Sequence, residues 1–185
     1  MRFARLGLVP LIVLPLAWLL FQGLGRNPNE IPSALIGRDA PALVARGMDG
    51  ETVSVETYRG RPLILNFWAS WCPECVEEHR VLMEAQDRYG EQLAIVGVLY
   101  QDTVADASGF LARYGDGGWP NLLDADGRLA IDYGVSGVPE SFFIDAAGVV
   151  RYRQWGAVTP AVLEEQLPPL LDDAPDRAAS PTAQP

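Results

Sequence analysis

The sequence predicts a single α/β domain built on a central mixed β-sheet flanked by helices, and three observations carry that expectation. The apolar runs at residues 62–69 (PLILNFWA) and 92–101 (QLAIVGVLYQ) are rich in strand formers and enclose a segment of helical periodicity. Strand, helix, strand in that order implies a βαβ unit with a parallel strand pair. Farther on, SFFID at 141–145 and VVRYRQW at 149–155 flank a turn at 146–148, the pattern of an antiparallel pair. A chain of 185 residues, 49% hydrophobic, supplies one well-cored domain and is too short for two ordinary ones.

The first element is an anchor. Arg2 and Arg5 precede residues 6–24, which are apolar and uncharged. At about 1.5 Å per residue this stretch crosses a bilayer core of ~30 Å once. Pro10 and Pro15 are tolerated better in a membrane span than in a soluble helix, and no A-x-A cleavage site follows. Residues 1–26 therefore read as a cytoplasmic N-terminus with an uncleaved signal anchor, in preference to a cleaved signal peptide. The positive flank before the span places the body on the far side, in an oxidising compartment. Residues 27–40, polar and punctuated by Pro and Gly, read as a linker, and residues 41–171 as the folded domain.

Within the domain, residues 42–55 carry a turn signal at Asp49-Gly50 between extended runs and predict a β-hairpin. The helix after the first central strand places Cys75, Val76, His79, Leu82, Met83 and Gln86 on an inner stripe and Glu77, Arg80, Glu84 and Asp87 outside. A second helix is expected over residues 103–114, then a turn-rich connection over 115–127. Thr159 and Pro160 give the cap and first position of a final helix over 161–171, with Pro168 and Pro169 expected to truncate or kink it. The tail, residues 172–185, has the composition of a disordered segment.

Composition excludes several functions. With a net charge of -10, and Arg2, Arg5 and Arg26 confined to the anchor region, the body repels nucleic acid and anionic bilayer surfaces. The chain has no lysine, so it lacks both a Schiff-base lysine and the lysine of a phosphate-binding loop. His79 is the single histidine, which leaves a serine triad or a multi-histidine metal site almost nothing to use.

Both cysteines lie in FWASWCPECVEEHR, residues 67–80. Cys72 sits where the first central strand gives way to the helix, with Pro73 suited to the first turn because its missing N–H has no intrahelical partner there. Unpaired amides and the positive end of the helix dipole stabilise a thiolate at Cys72, the expected attacking thiol. Cys75, one turn deeper and more buried, is expected to resolve the mixed disulfide. A zinc site from Cys72, Cys75 and His79 lacks a fourth ligand. Haem attachment needs histidine directly after the second cysteine, where Val76 stands. A structural staple three residues long constrains little of the unfolded chain. His79 reads more readily as a packed helix residue than as a base.

NFWASWCPEC, together with YGVSGVPESFFID at 133–145, resembles the thioredoxin superfamily, and specifically its membrane-tethered cytochrome c maturation branch, CcmG or DsbE. The resemblance runs from about residue 33 to 155, and SALIG, CVEEH and GVPE make it more specific than the CxxC alone. It implies a thioredoxin-like fold and a thiol:disulfide oxidoreductase acting as a net reductant without a bound cofactor or metal. The implied client is apocytochrome c, kept reduced for haem attachment by the cytochrome c maturation machinery. Electrons are expected from a membrane thiol donor of the DsbD or CcdA kind, with the catalytic domain on the periplasmic side of the bacterial inner membrane. The variable dipeptide Pro73-Glu74 settles no substrate.

The same resemblance makes Pro139 a cis proline against the cysteine pair, where it leaves the site without an N–H; alone, it would read as a turn proline. The Val138 backbone is then free to pair with an extended substrate, while Trp71, Pro73 and Val138 offer apolar contact. Thioredoxin itself carries a buried aspartate where this chain has Asn66. Glu78 and Glu140 match acidic positions flanking the family's site and are the candidate proton acceptors, against the simpler reading that they are solvated acids. Three other functions remain open at this point: a tethered reductase with another client, a holdase for apocytochrome whose cysteines are incidental, and a net oxidase, which a potential well above that of thioredoxin would mark.

Overall fold

Six consecutive buried residues, Leu63–Trp68, form β3, the centre of the sheet. Such a run suits a strand covered on both faces. The computed structural model describes residues 13–15, 18 and 33–173, and the element order there follows the expected one closely. A hairpin of β1 (Val44–Arg46) and β2 (Thr52–Ser54) precedes β3, and α1 (Pro73–Tyr89) leads from β3 to β4 (Ala94–Tyr100). Then come α2 (Val104–Tyr114), β5 (Asn121–Asp124), α3 (Arg128–Tyr133), β6 (Glu140–Ile144), β7 (Val150–Trp155) and α4 (Pro160–Asp172). The sheet order is β5-β4-β3-β6-β7, parallel between β3, β4 and β5 and antiparallel between β3, β6 and β7.

Alternation along β3 divides the core. Leu63, Leu65 and Phe67 pack with Phe142, Tyr133 and Leu122 on one face. On the other, Ile64 packs with Leu82 and Ala85 of α1 and Leu163 and Leu167 of α4. In register, Asn66 stands opposite Ser141 and Phe67 opposite Glu140, so these two pairs lie on opposite faces.

Several expectations need correction. The connection over 115–127 contains β5, and α3 follows it; β5 exists because Asn121 to Asp124 complete a parallel ladder on β4, a long-range pairing invisible to local pattern. Helix α4 is not truncated at Pro168-Pro169 and runs to Asp172, with Thr159 capping the Val162 amide as expected. Residues at the end of the expected linker are seated on the sheet edge: Gly37 N–H donates to Val150 C=O at 2.8 Å and Ala40 N–H to Gly148 C=O at 2.8 Å. The inner stripe of α1 is Cys75, Glu78, His79, Val81, Leu82 and Ala85, with Val76, Met83 and Gln86 only half-buried.

Nearly all of the expected anchor, residues 1–26, lies outside the described residues, as does the tail from residue 174. Among the described residues, no helix is long and apolar enough to cross a membrane.

Candidate active site

The two cysteines meet because β3 delivers the chain directly into α1. Cys72 is the N-cap, in extended conformation, and Pro73 takes the first helical position. The Cys75 amide donates to the Cys72 sulfur at 3.1 Å, the bond that a cap oxygen would otherwise accept. The two residues are joined by a disulfide, with Cα atoms 5.3 Å apart.

The expected division between an exposed Cys72 and a buried Cys75 is not present in this oxidised form. Relative exposures are 3% and 2%. Both belong to one buried cluster with Trp68, Ala69, Leu99 and Phe110, against which Val138 and Met48 pack. The roles of the two sulfurs therefore rest on helix position, since only Cys72 occupies the cap.

Loops at the ends of β3 and β4 fix the approach. The Ser70 amide donates to Asp102 Oδ2 at 2.5 Å, and Trp71 Nε1 donates to the Gln101 carbonyl at 3.2 Å. Gln101 adopts a positive φ of 46°. Trp71 itself remains 57% exposed, and beside it runs an open groove of about 770 Å³ whose lining includes Asp102, Val104 and Asp124. Pro73 is exposed, Val138 is half-buried, and the Val138–Pro139 peptide is cis.

Glu78 lies one turn beyond Cys75 on the inner face of α1 and is 1% exposed. Asn66 Nδ2 donates to Oε2 at 2.7 Å, while Ser141 Oγ and the Val158 amide each donate to Oε1 at 3.0 Å. Among the described residues no cation pairs with it. Burial pushes its carboxyl up to about 7, with the three donors opposing that rise. Asn66 thus supplies a hydrogen bond to the buried acid rather than an acid of its own.

Glu140 sits on the opposite face of the sheet. Its carboxylate pairs with Arg153 Nε and accepts the Ser136 amide at 3.3 Å. Burial raises this carboxyl as well, but Arg153 pulls it back down. The two acids therefore do not form a pair around the disulfide: Glu78 is held by neutral donors beneath Cys75, and Glu140 is matched by a buried cation behind Pro139. His79 Nε2 hydrogen-bonds the Gly115 carbonyl at 2.8 Å, and its ring meets Phe110 and Trp119 edge-on, so it is a packed residue.

Sequence reasoning missed Arg153, Ser141, Asp102 and the Val158 amide. The Ser141 contact was foreshadowed by its place two residues after Pro139, but its partner across the sheet depends on register. Among the described residues, no group of three or more His, Cys, Asp or Glu side chains forms a potential metal site.

A disulfide between the cap and first turn of a helix, facing a cis-proline loop on a mixed sheet, defines a thioredoxin-superfamily thiol:disulfide oxidoreductase. A family model described as the AhpC/TSA family matches residues 36–153. The thiol:disulfide interchange protein DsbE of Allochromatium vinosum is 37% identical over 171 residues, covering 91% of this chain and 93% of that protein. DsbE of Escherichia coli K12 is 36% identical over 181 residues, covering 93% and 96%. The crystal structure of a putative DsbE from Chlorobium tepidum superposes with a TM-score of 0.67 at 31% identity, over 74% of this chain and 97% of that one. The chain belongs to the AhpC/TSA family in that broad sense and, within it, to the DsbE thiol:disulfide interchange proteins.

Proposed function

We propose that this oxidoreductase works as a net reductant, held at the bacterial inner membrane by residues 1–26, that reduces the CxxCH disulfide of apocytochrome c on the periplasmic side. The observation that carries the reducing direction is Glu78, a buried carboxylate one turn from Cys75. Negative charge beside the pair disfavours thiolate and with it the reduced state, making the dithiol a better electron donor.

In the exchange, the Cys72 thiolate attacks one client sulfur, and the other client sulfur leaves as thiolate. The Cys75 thiolate then attacks Cys72 Sγ, freeing the client dithiol and closing the Cys72–Cys75 disulfide. Two electrons pass to the client. Glu78 accepts the proton that Cys75 gives up. A membrane dithiol donor of the DsbD or CcdA kind returns two electrons, and the cytochrome c maturation machinery takes the reduced client. Trp71, Pro73 and Val138 supply the apolar surface on which the client lies, and Pro139 shapes it.

The client is tested by incubating the Cys75→Ser variant with periplasmic extract and identifying what becomes disulfide-linked to Cys72. Apocytochrome c is expected. Capture of other proteins to its exclusion would leave the exchange chemistry standing and replace the client. A holdase reading requires that both cysteine variants retain full effect on cytochrome assembly.

A further inference from the structure

Arg153 reaches the site through a break in strand alternation. The pairing of β6 with β7 steps from Phe143↔Tyr152 to Ile144↔Val150, which leaves Arg151 as an extra residue. One inserted residue reverses which side chains face inward beyond it. Val150 and Arg153 are consequently both buried, while Arg151 stays at the surface and pairs with Asp145.

The buried guanidinium lies over the Phe142 ring at 5.3 Å and the Trp155 ring at 4.3 Å from their centroids. Its fork grips the loop that carries the cis proline from both ends. Nη2 donates to the Gly134 carbonyl at 2.8 Å, and Nε donates to Glu140, whose second oxygen accepts the Ser136 amide at 3.3 Å. The ends of the loop are also held by backbone, the Gly134 and Val135 amides donating to the Ile131 and Ala130 carbonyls at 3.0 and 2.7 Å and Glu140 entering the β6 ladder, while Val138 packs on the cysteine cluster. Among the described residues, no backbone–backbone hydrogen bond involves residues 136–138, and Pro139 is tied only through its carbonyl to the Gly156 amide.

We propose that Arg153 is a positioning residue for the exchange reaction, holding residues 134–140 so that Val138 fronts the Cys72–Cys75 disulfide. The planar fork satisfies Gly134 and Glu140 at once, and stacking on two rings fixes its plane; a lysine ammonium supplies the charge but neither the fork nor the plane. A polypeptide disulfide must lie along this loop to be attacked. A small aromatic disulfide needs only access to the sulfur.

The test compares wild type, Arg153→Lys and Arg153→Met, with dithiothreitol regenerating the dithiol in the polypeptide assay and prereduced, reductant-free protein oxidised in a single turnover by the small disulfide. Insulin serves as the polypeptide disulfide and 5,5′-dithiobis(2-nitrobenzoate) as the small one, so the outcome does not depend on which client is used in the cell. Misplacing a contact surface is expected to raise KM for insulin about tenfold in both variants, with kcat and the small-disulfide rate falling far less. Near-UV circular dichroism confirms a native core in each. If Arg153→Met does not fold, Arg153→Lys decides alone, since it keeps the charge beside Glu140. Wild-type KM in the folded variants, or equal losses on both disulfides, would overturn the proposal.

Discussion

The Cys75 amide donates to the sulfur of Cys72 across 3.1 Å, and nothing equivalent serves the sulfur of Cys75 among the described residues. A bond to the charged form, at a helix N-terminus, lowers the pKa of the thiol that receives it. Cys75 has Glu78 one turn away instead, and that carboxylate opposes a thiolate. Iodoacetamide labelling of the reduced protein across pH is expected to modify Cys72 at lower pH than Cys75. Reversed order would remove the basis for their roles.

Glu78 also makes stability depend on pH. Its carboxyl stands at about 7 in the folded protein against 4.5 for an ordinary glutamate, so between those values the folded state binds the extra proton. The stabilisation is therefore full below 4.5 and is lost as pH rises through 7, by an amount on the order of 3 kcal/mol. Urea unfolding at pH 5 and pH 8 is expected to show the wild type weaker at pH 8. Glu78→Gln, which cannot ionise, is expected to flatten that difference; an identical slope in the two proteins would show that Glu78 does not titrate in this range.

The same substitution acts on the redox couple. Removing the negative charge beside Cys75 favours the reduced state, so Glu78→Gln is expected to move the reduction potential to a less negative value at pH 7. Equilibration with thioredoxin, whose potential is about -270 mV, provides the reading. A more negative potential in the variant would reverse the electrostatic argument, and a wild-type potential well above thioredoxin's would make the protein a net oxidant.

Glu140 has a different dependence. Its side chain is 1% exposed and that of its partner Arg153 is 8% exposed, and breaking such a pair from one side leaves a buried charge with no counterpart. Glu140→Ala is expected to lower unfolding stability by about 3–5 kcal/mol. Arg80 and Glu77 form an exposed pair on α1, and Glu77→Ala is expected to leave the unfolding midpoint nearly where it was. Comparable effects from both substitutions in denaturant melts would mean that burial does not govern the Glu140 pair.

The fold was legible wherever local pattern and burial agree. The run at 62–69, the helix behind Pro73 and the turn at Asp49-Gly50 each announce their own structure, and all three stand where expected. Strand β5 did not announce itself, because Asn121 to Asp124 sit in a turn-rich stretch and become a strand only on meeting β4. The cysteine pair could be read from spacing and Pro73 alone. The carboxylates could be located but not sorted: Glu78 and Glu140 differ through Asn66, Ser141 and Arg153, partners fixed by sheet register. Arg153 was hidden further by the extra residue in β7, since strict alternation from Val150 would have sent it to solvent.

The most direct test of the account maps the linkage in mixed disulfides trapped by Cys75→Ser and by Cys72→Ser with a disulfide-bonded CxxCH peptide. Tryptic mass spectrometry is expected to find the peptide on Cys72 in the first variant, stable for want of a resolving thiol, and little or no adduct in the second. Equal trapping on Cys75, or none on Cys72, would contradict the assignment of attack to the helix cap.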